Sequence, residues 1–205
     1  LAECGHADDI RKARFVANPG CHATATAMAI WPAAQAGLIA GRVSVTSVTG
    51  SSGGGGRPKQ GSHHPERFTN LKAYRPLHHQ HMPEVVQALG GQIVDFVPQS
   101  ASFARGIYVT AFLPLIDVDA DVAGCFAAAY GDEPFVRLLD APPELRAVVG
   151  TNLVDVHVSK GSGVAVVTLA IDNLGKGMAG SAVQNLNLMF DLDPRAGLDR
   201  PGAGL

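Results

Sequence analysis

Residues 153–171 read LVDVHVSKGSGVAVVTLAI, two valine-rich runs separated by Lys160-Gly161-Ser162-Gly163. β-Branched side chains fit a pleated, half-buried surface and the two glycines supply the backbone freedom of a tight connection, so 153–159 and 164–171 are expected to form a β-hairpin. Working outward, strand signals recur at 43–49, at 93–97, at 106–115 with Ile107, Val109, Ala111 and Leu113 on one face, and at 135–139. Helices are expected over 22–30, from Pro83 to Gly90-Gly91, from Asp119 and Asp121 to about Tyr130, and over 176–190. Pro32 suits either a kink or the start of a second short helix ending near Gly37. Strands interspersed with helices and joined by hairpins, without regular crossovers, indicate an α+β fold with a largely antiparallel sheet and flanking helices.

The chain has 205 residues, 46% of them hydrophobic, enough to bury a core without disulfide or metal staples and room for one to two domains. A formal charge of −2 leaves no electrostatic footprint for nucleic acid or an anionic membrane, so a small-molecule or protein partner is expected. Cys4, Cys21 and Cys125 are an odd set at irregular spacing, which fits a reducing, cytoplasmic compartment. No apolar run approaches the ~18 residues of a membrane span. Despite 24 glycines, neither the dinucleotide fingerprint nor the P-loop pattern occurs.

Cys21 follows a Pro-Gly turn and opens an expected helix, where unpaired N–H groups and the helix dipole favour a thiolate. Read by itself, it is either a nucleophile or an inert small hydrophobe. Cys125 lies among alanines in an amphipathic stretch and suits core packing. The segment 57–80 reads as loop, with Pro65 and Pro76 forbidding a long helix, and together with His81 it holds His63, His64, His78 and His79. A thiol nucleophile needs an acid or base nearby; His81, just before Met82-Pro83-Glu84, is the leading candidate, with Glu84 able to orient it or a substrate. Zinc ligands or plain solvated histidines are the other readings, and the spacing of a metal site is missing. Gly50–Gly56 with Arg57 and Lys59 could cradle an anion or act as a flap. Arg105 could grip a carboxylate or phosphate, or pair with an acid across the domain.

Five stretches together are similar to one family. They are Asn18-Pro19-Gly20-Cys21 with Ala23-Thr24-Ala25; the Val48-Thr49-Gly50-Ser51-Ser52-Gly53 loop; His79-Gln80-His81-Met82-Pro83-Glu84; Arg105-Gly106-Ile107; and Asp172-Asn173-Leu174-Gly175-Lys176-Gly177 with Ala182-Val183-Gln184-Asn185. In this order they resemble N-acetyl-gamma-glutamyl-phosphate reductase over nearly the whole chain. The runner-up is the related reductase of lysine biosynthesis acting on carrier-bound aminoadipyl phosphate, with aspartate-semialdehyde dehydrogenase more distant.

The resemblance implies a glyceraldehyde-3-phosphate-dehydrogenase-like C-terminal domain and NADPH-dependent reductive dephosphorylation of an N-acylglutamyl phosphate to its semialdehyde, in arginine biosynthesis. It implies Cys21 as the nucleophile forming a thioester and His81 as acid/base. His79, Arg105, Ser51, Arg57 and Glu84 are implied substrate residues, and Asn185 is implied to face the nicotinamide; no metal is implied. Two departures, His22 where an aromatic residue is usual and Gln80 where a basic one is, bear on acyl specificity. The family begins with a Rossmann domain, which is expected to be absent from these 205 residues. Residues 1–171 are therefore expected to be a catalytic and dimerisation domain. Residues 172–205 are expected to be a helix and tail packing on a nucleotide domain outside the chain, with a homo-oligomer as the assembly. A noncatalytic oligomerisation fragment and a Cys-His hydrolase are the competing readings.

Overall fold

In the computed structural model, which describes residues 1–199 and Gly202, the expected hairpin supplies the fifth and sixth strands of one mixed seven-stranded sheet. The strands are β1 (Val43–Thr49), β2 (Lys72–Ala73), β3 (Val94–Ser100), β4 (Ile107–Pro114), β5 (Val136–Leu138), β6 (Val154–Lys160) and β7 (Val164–Ile171), in spatial order β2-β3-β1-β4-β7-β6-β5. Only β1/β3 and β5/β6 pair in parallel; the other neighbours are antiparallel. The β6–β7 turn is closed by Gly161 N donating to Val164 O at 2.8 Å, with Gly163 in the left-handed region at φ 71°.

Alternation sends Ile107, Val109, Ala111 and Leu113 of β4 and Ala165, Val167, Leu169 and Ile171 of β7 to one buried face. Of the helices α1 (Ala7–Lys12), α2 (Cys21–Gln35), α3 (His64–Arg67), α4 (Met82–Ala88), α5 (Val122–Tyr130) and α6 (Gly180–Met189), α2 lies against β4 and β7, α4 against β3, and α5 against β5 and β6. The α2 alanines Ala23, Ala25, Ala27, Ala29 and Ala33 are all buried, and their small side chains let the helix sit close to the sheet. The opposite sheet face, carrying Val48, Tyr108, Thr110, Phe112, Val166 and Thr168, is left half-buried or exposed.

Three elements differ from the expectation. First, α2 runs through Pro32 as a single helix. A proline lacks the N–H that would bond the carbonyl four residues back, and here that carbonyl, Met28 O, accepts instead from Tyr130 Oη at 2.9 Å. Second, β3 continues past Val97 through Pro98, because its other neighbour, β2, is only two residues long and this side of the strand is close to a sheet edge. Third, the expected helix 176–190 is split: Gly175–Ala179 forms a wide π turn, with Gly177 N bonded to Asp172 O at 2.9 Å, before α6 begins. Close approach of neighbouring groups requires glycine along this turn. A Cβ on Gly175 would lie 2.3 Å from Thr151 O, and one on Gly180 would lie 2.1 Å from Asn152 Oδ1. Segment 57–80 is mostly irregular as expected, holding the single turn α3 and the short β2.

α6 packs on α1, where Ala2, Ile10 and Leu188 make a small second core. Residues 200, 201 and 203–205 of the expected 172–205 unit lie outside the described residues. Among the described residues no helix is long and apolar enough to cross a membrane.

Candidate active site

The Asn18-Pro19-Gly20 turn delivers Cys21 as the first residue of α2, and four contacts fix it. Gly20 N donates to Glu84 Oε2 at 2.7 Å, tying the turn to α4. Asn18 Nδ2 donates to Met178 O at 3.0 Å, and Asn185 Nδ2 donates to Asn18 Oδ1 at 3.2 Å. His81 caps α4 and lays its ring over Gly20, so that a Cβ there would fall 2.3 Å from His81 Nε2. On another side, a Cβ at Gly177 would stand 2.8 Å from Cys21 Cβ. The cysteine thus has bare backbone of the π turn on one side, while the residue before it lies under the His81 imidazole.

Behind His81 lie two further imidazoles. His22, the second residue of α2, is buried, with Nδ1 against Ser47 Oγ at 2.7 Å and Nε2 against Tyr74 Oη at 2.9 Å. Ring centroids are 5.2 Å apart for His22 and His79 and 4.7 Å for His79 and His81, both edge to face. His81 N donates to His79 Nδ1 at 3.2 Å, so a neutral His79 carries its proton on Nε2. Burial, reinforced by the neighbouring imidazoles, pushes His22 down to about 3. Burial, then His81 and Arg75, push His79 down to about 4. Burial also lowers His81, with Glu84 opposing.

The thiol departs from expectation. The N–H groups of His22 and Cys21 do favour the anion, but burial outweighs them and Glu84 adds to it, so the Cys21 pKa is raised above 9.0. At neutral pH the Cys21 thiol and the His81 imidazole are therefore both neutral, and proton transfer must accompany any attack by sulfur. Cys4 is more deeply desolvated, pushed up to about 12, and packs in the core; all three cysteines are free.

Cys21, His79 and His81 open onto a cavity of about 750 Å³, whose walls include Gly50, Gly53–Gly55, Lys59, Arg67 and Tyr74. Ser51, Arg57, Glu84, Arg105 and Asn185 do not line it. Arg105 Nη2 is 2.7 Å from the fully buried Asp172, the acid-pairing alternative of the sequence reading, and Asp172 Oδ1 also accepts from Leu174 and Gly175 N–H ahead of the π turn. Ser51 N donates to Phe103 O at 2.9 Å, anchoring the glycine loop to the chain just before Arg105. Arg57 is exposed on that loop. Glu84 and Asn185 brace the turn that carries Cys21. Sequence reasoning passed over Tyr74 and Arg67, which sit in a segment without periodicity, and Gly177, whose closeness to Cys21 depends on the π turn. Among the described residues no cluster of three or more His, Cys, Asp or Glu is arranged to hold a metal ion.

The strand order, the helices packed against the sheet and the cysteine at the head of the helix lying on β4 and β7 define a class of protein. The chain belongs to the semialdehyde dehydrogenase dimerisation-domain family, whose family model matches residues 21–173. Particular relatives narrow this further. The chain is 41% identical over 206 residues to N-acetyl-gamma-glutamyl-phosphate reductase of Methanopyrus kandleri, covering 96% of this chain and 60% of that protein. It is 40% identical to the protein of the same name from Pseudomonas putida, covering 95% and 60%. The chain thus spans about 60% of the length of these curated relatives. Among solved structures, aspartate semialdehyde dehydrogenase II from Vibrio cholerae aligns with a TM-score of 0.69 at 17% identity, over 92% of this chain and 66% of that one. At that identity the likeness shows the shared fold.

Proposed function

We propose that this chain carries the nucleophile and the acid/base of an NADP-dependent reductase that converts N-acetyl-glutamyl 5-phosphate to the 5-semialdehyde in arginine biosynthesis. The observation that carries this reading is the His81 imidazole seated on Gly20, beside Cys21, at the cavity wall. Cys21 Sγ attacks the acyl carbon while His81 takes the thiol proton. The C–O bond to phosphate breaks with its electron pair on oxygen, leaving a thioester on Cys21. His81, then protonated, is placed to return that proton to sulfur when the thioester is cleaved.

The chain's residues fit the nicotinamide end of the cofactor. Gly177 leaves Cys21 uncovered by any side chain on its side, and Asn185 braces the same turn through Asn18, so these two would border the ring. When bound, NADPH would supply the hydride that reduces the thioester. Its phosphates are taken to be held by a nucleotide-binding domain outside these 205 residues. Residues 172–205 would then pack against that domain, with Met178, Leu186 and Phe190 exposed for it. The half-buried sheet face beyond 1–171's helices supports a homo-oligomer, and the reaction belongs in the cytoplasm.

The experiment is phosphate release from N-acetyl-glutamyl phosphate by the 205-residue chain. A stoichiometric burst of one phosphate per chain, slowed about 10²-fold or more by His81→Asn, is expected. No burst would contradict the enzyme reading and leave the noncatalytic one. Continuous turnover without NADPH would mark a hydrolase.

A further inference from the structure

The cavity is lined by Lys59, Arg67, Lys72 and Arg75 against one carboxylate, Glu66. Among them, the surroundings of Arg67 are unfinished. Among the described residues its Nη1 and Nη2 donate only to Gly61 O and Thr49 O, both at a long 3.4 Å, and its Nε is buried with no hydrogen-bond partner. Glu66 is its neighbour in sequence, yet among the described residues no carboxylate makes an ion pair with Arg67.

A guanidinium offers five donors in a planar fork matched to carboxylate and phosphate oxygens. Withdrawing such a cation from water without a counter-ion is unfavourable. Burial accordingly lowers the Arg67 pKa, with Tyr74 opposing. Arg67 also stands at the end of β1, where Thr49 leads into the glycine loop. Tyr74, on the same wall, is bonded to His22 of the imidazole cluster. A ligand anion is the partner this environment lacks.

We propose that Arg67 is the anion-recognition residue of this cavity, holding an oxyanion of the substrate, either its phosphoryl group or a carboxylate elsewhere on the same molecule. The proposal rests on the preceding reading of the cavity as an acyl-phosphate site and adds to it the residue that selects anionic substrates. The fork geometry makes Arg67 a specificity determinant that lysine replaces only in part.

The test uses alkylation of Cys21 by iodoacetamide in the 205-residue chain, with and without inorganic phosphate or N-acetylglutamate, so that occupancy is read without turnover. At least one of the two anions is expected to protect Cys21. Arg67→Gln should raise the half-protecting concentration about tenfold or more, and Arg67→Lys should fall between. Loss of protection by phosphate alone assigns the phosphoryl group; loss by N-acetylglutamate alone assigns the carboxylate. Should circular dichroism show Arg67→Gln unfolded, the Lys variant supplies the comparison. Equal protection in wild type and variants, or no protection of wild type by either anion, overturns the proposal. If acyl phosphate leaves no thioester while protection still depends on Arg67, the reductase reading falls and the anion site stands.

Discussion

Gly20 is bare because His81 occupies the space a side chain would take. Gly20→Ala should displace the imidazole and slow acylation of Cys21 about 10²-fold, since a misplacement of about 1 Å costs that much, with the melting temperature changing little; rapid-quench kinetics would measure it. The pKa directions give a second expectation. His81 is lowered from 6.5, so its loss as a base on acidification comes below pH 6.5; the Cys21 thiol is raised from 9.0, so thiolate appears only above pH 9. Alkylation of Cys21 followed against pH should therefore show no inflection between 6.5 and 9.0, and a thiolate step near neutrality would contradict the burial argument. That Cys21 and His81 each stand at a helix start was legible in sequence, because Pro19-Gly20 marks the first start and Pro83 the second. The sign of the thiol shift was not, because a local dipole shows in sequence and the depth of burial does not. His22 was unreadable for the same reason, its role depending on Ser47 and Tyr74, 25 and 52 residues away.

At the scale of elements, the strands could be read closely because alternating β-branched residues report which face is buried, and β7 matches its expected bounds. What sequence could not show were the places where a distant group substitutes for a local bond. α2 crosses Pro32 because Tyr130 Oη satisfies Met28 O. Tyr130→Phe keeps the ring in the core and removes that bond, leaving a buried carbonyl unpaired; it should cost about 1–3 kcal/mol in urea unfolding at unchanged m-value. A loss near zero would mean the carbonyl finds another partner. The π turn was likewise invisible, since Gly175 and Gly180 are required there by Thr151 O and Asn152 Oδ1, groups more than 20 residues away.

At the scale of the molecule, the first residues and the last helix are joined by a buried polar knot. Lys176 Nζ bonds Glu3 Oε1 and, at 2.7 Å, Gln184 Oε1, while Gln184 Nε2 donates to Glu3 Oε1 at 2.8 Å. Burial alone would raise the Glu3 carboxyl, but Lys176 together with hydrogen bonds from Gln184 and the Glu3 backbone N–H outweighs it and holds the pKa below 4.5. Lys176→Met should destabilise the chain by about 3–5 kcal/mol by stranding a buried carboxylate, and adding Glu3→Leu should recover much of that in thermal unfolding. A fully additive double variant would mean that the two charges act independently. Because Lys176 also precedes Gly177, the same knot holds the backbone that faces Cys21. No local pattern reveals a contact spanning 173 residues, so the sequence indicated the helix and its motif but not what anchors them. The central claim, that Cys21 is an acyl-accepting nucleophile, is tested most directly by intact and peptide mass spectrometry after incubation with N-acetyl-glutamyl phosphate. The account predicts one hydroxylamine-sensitive N-acetylglutamyl adduct on the peptide containing Cys21, absent from Cys21→Ser; no adduct, or an adduct that persists in Cys21→Ser, would contradict it.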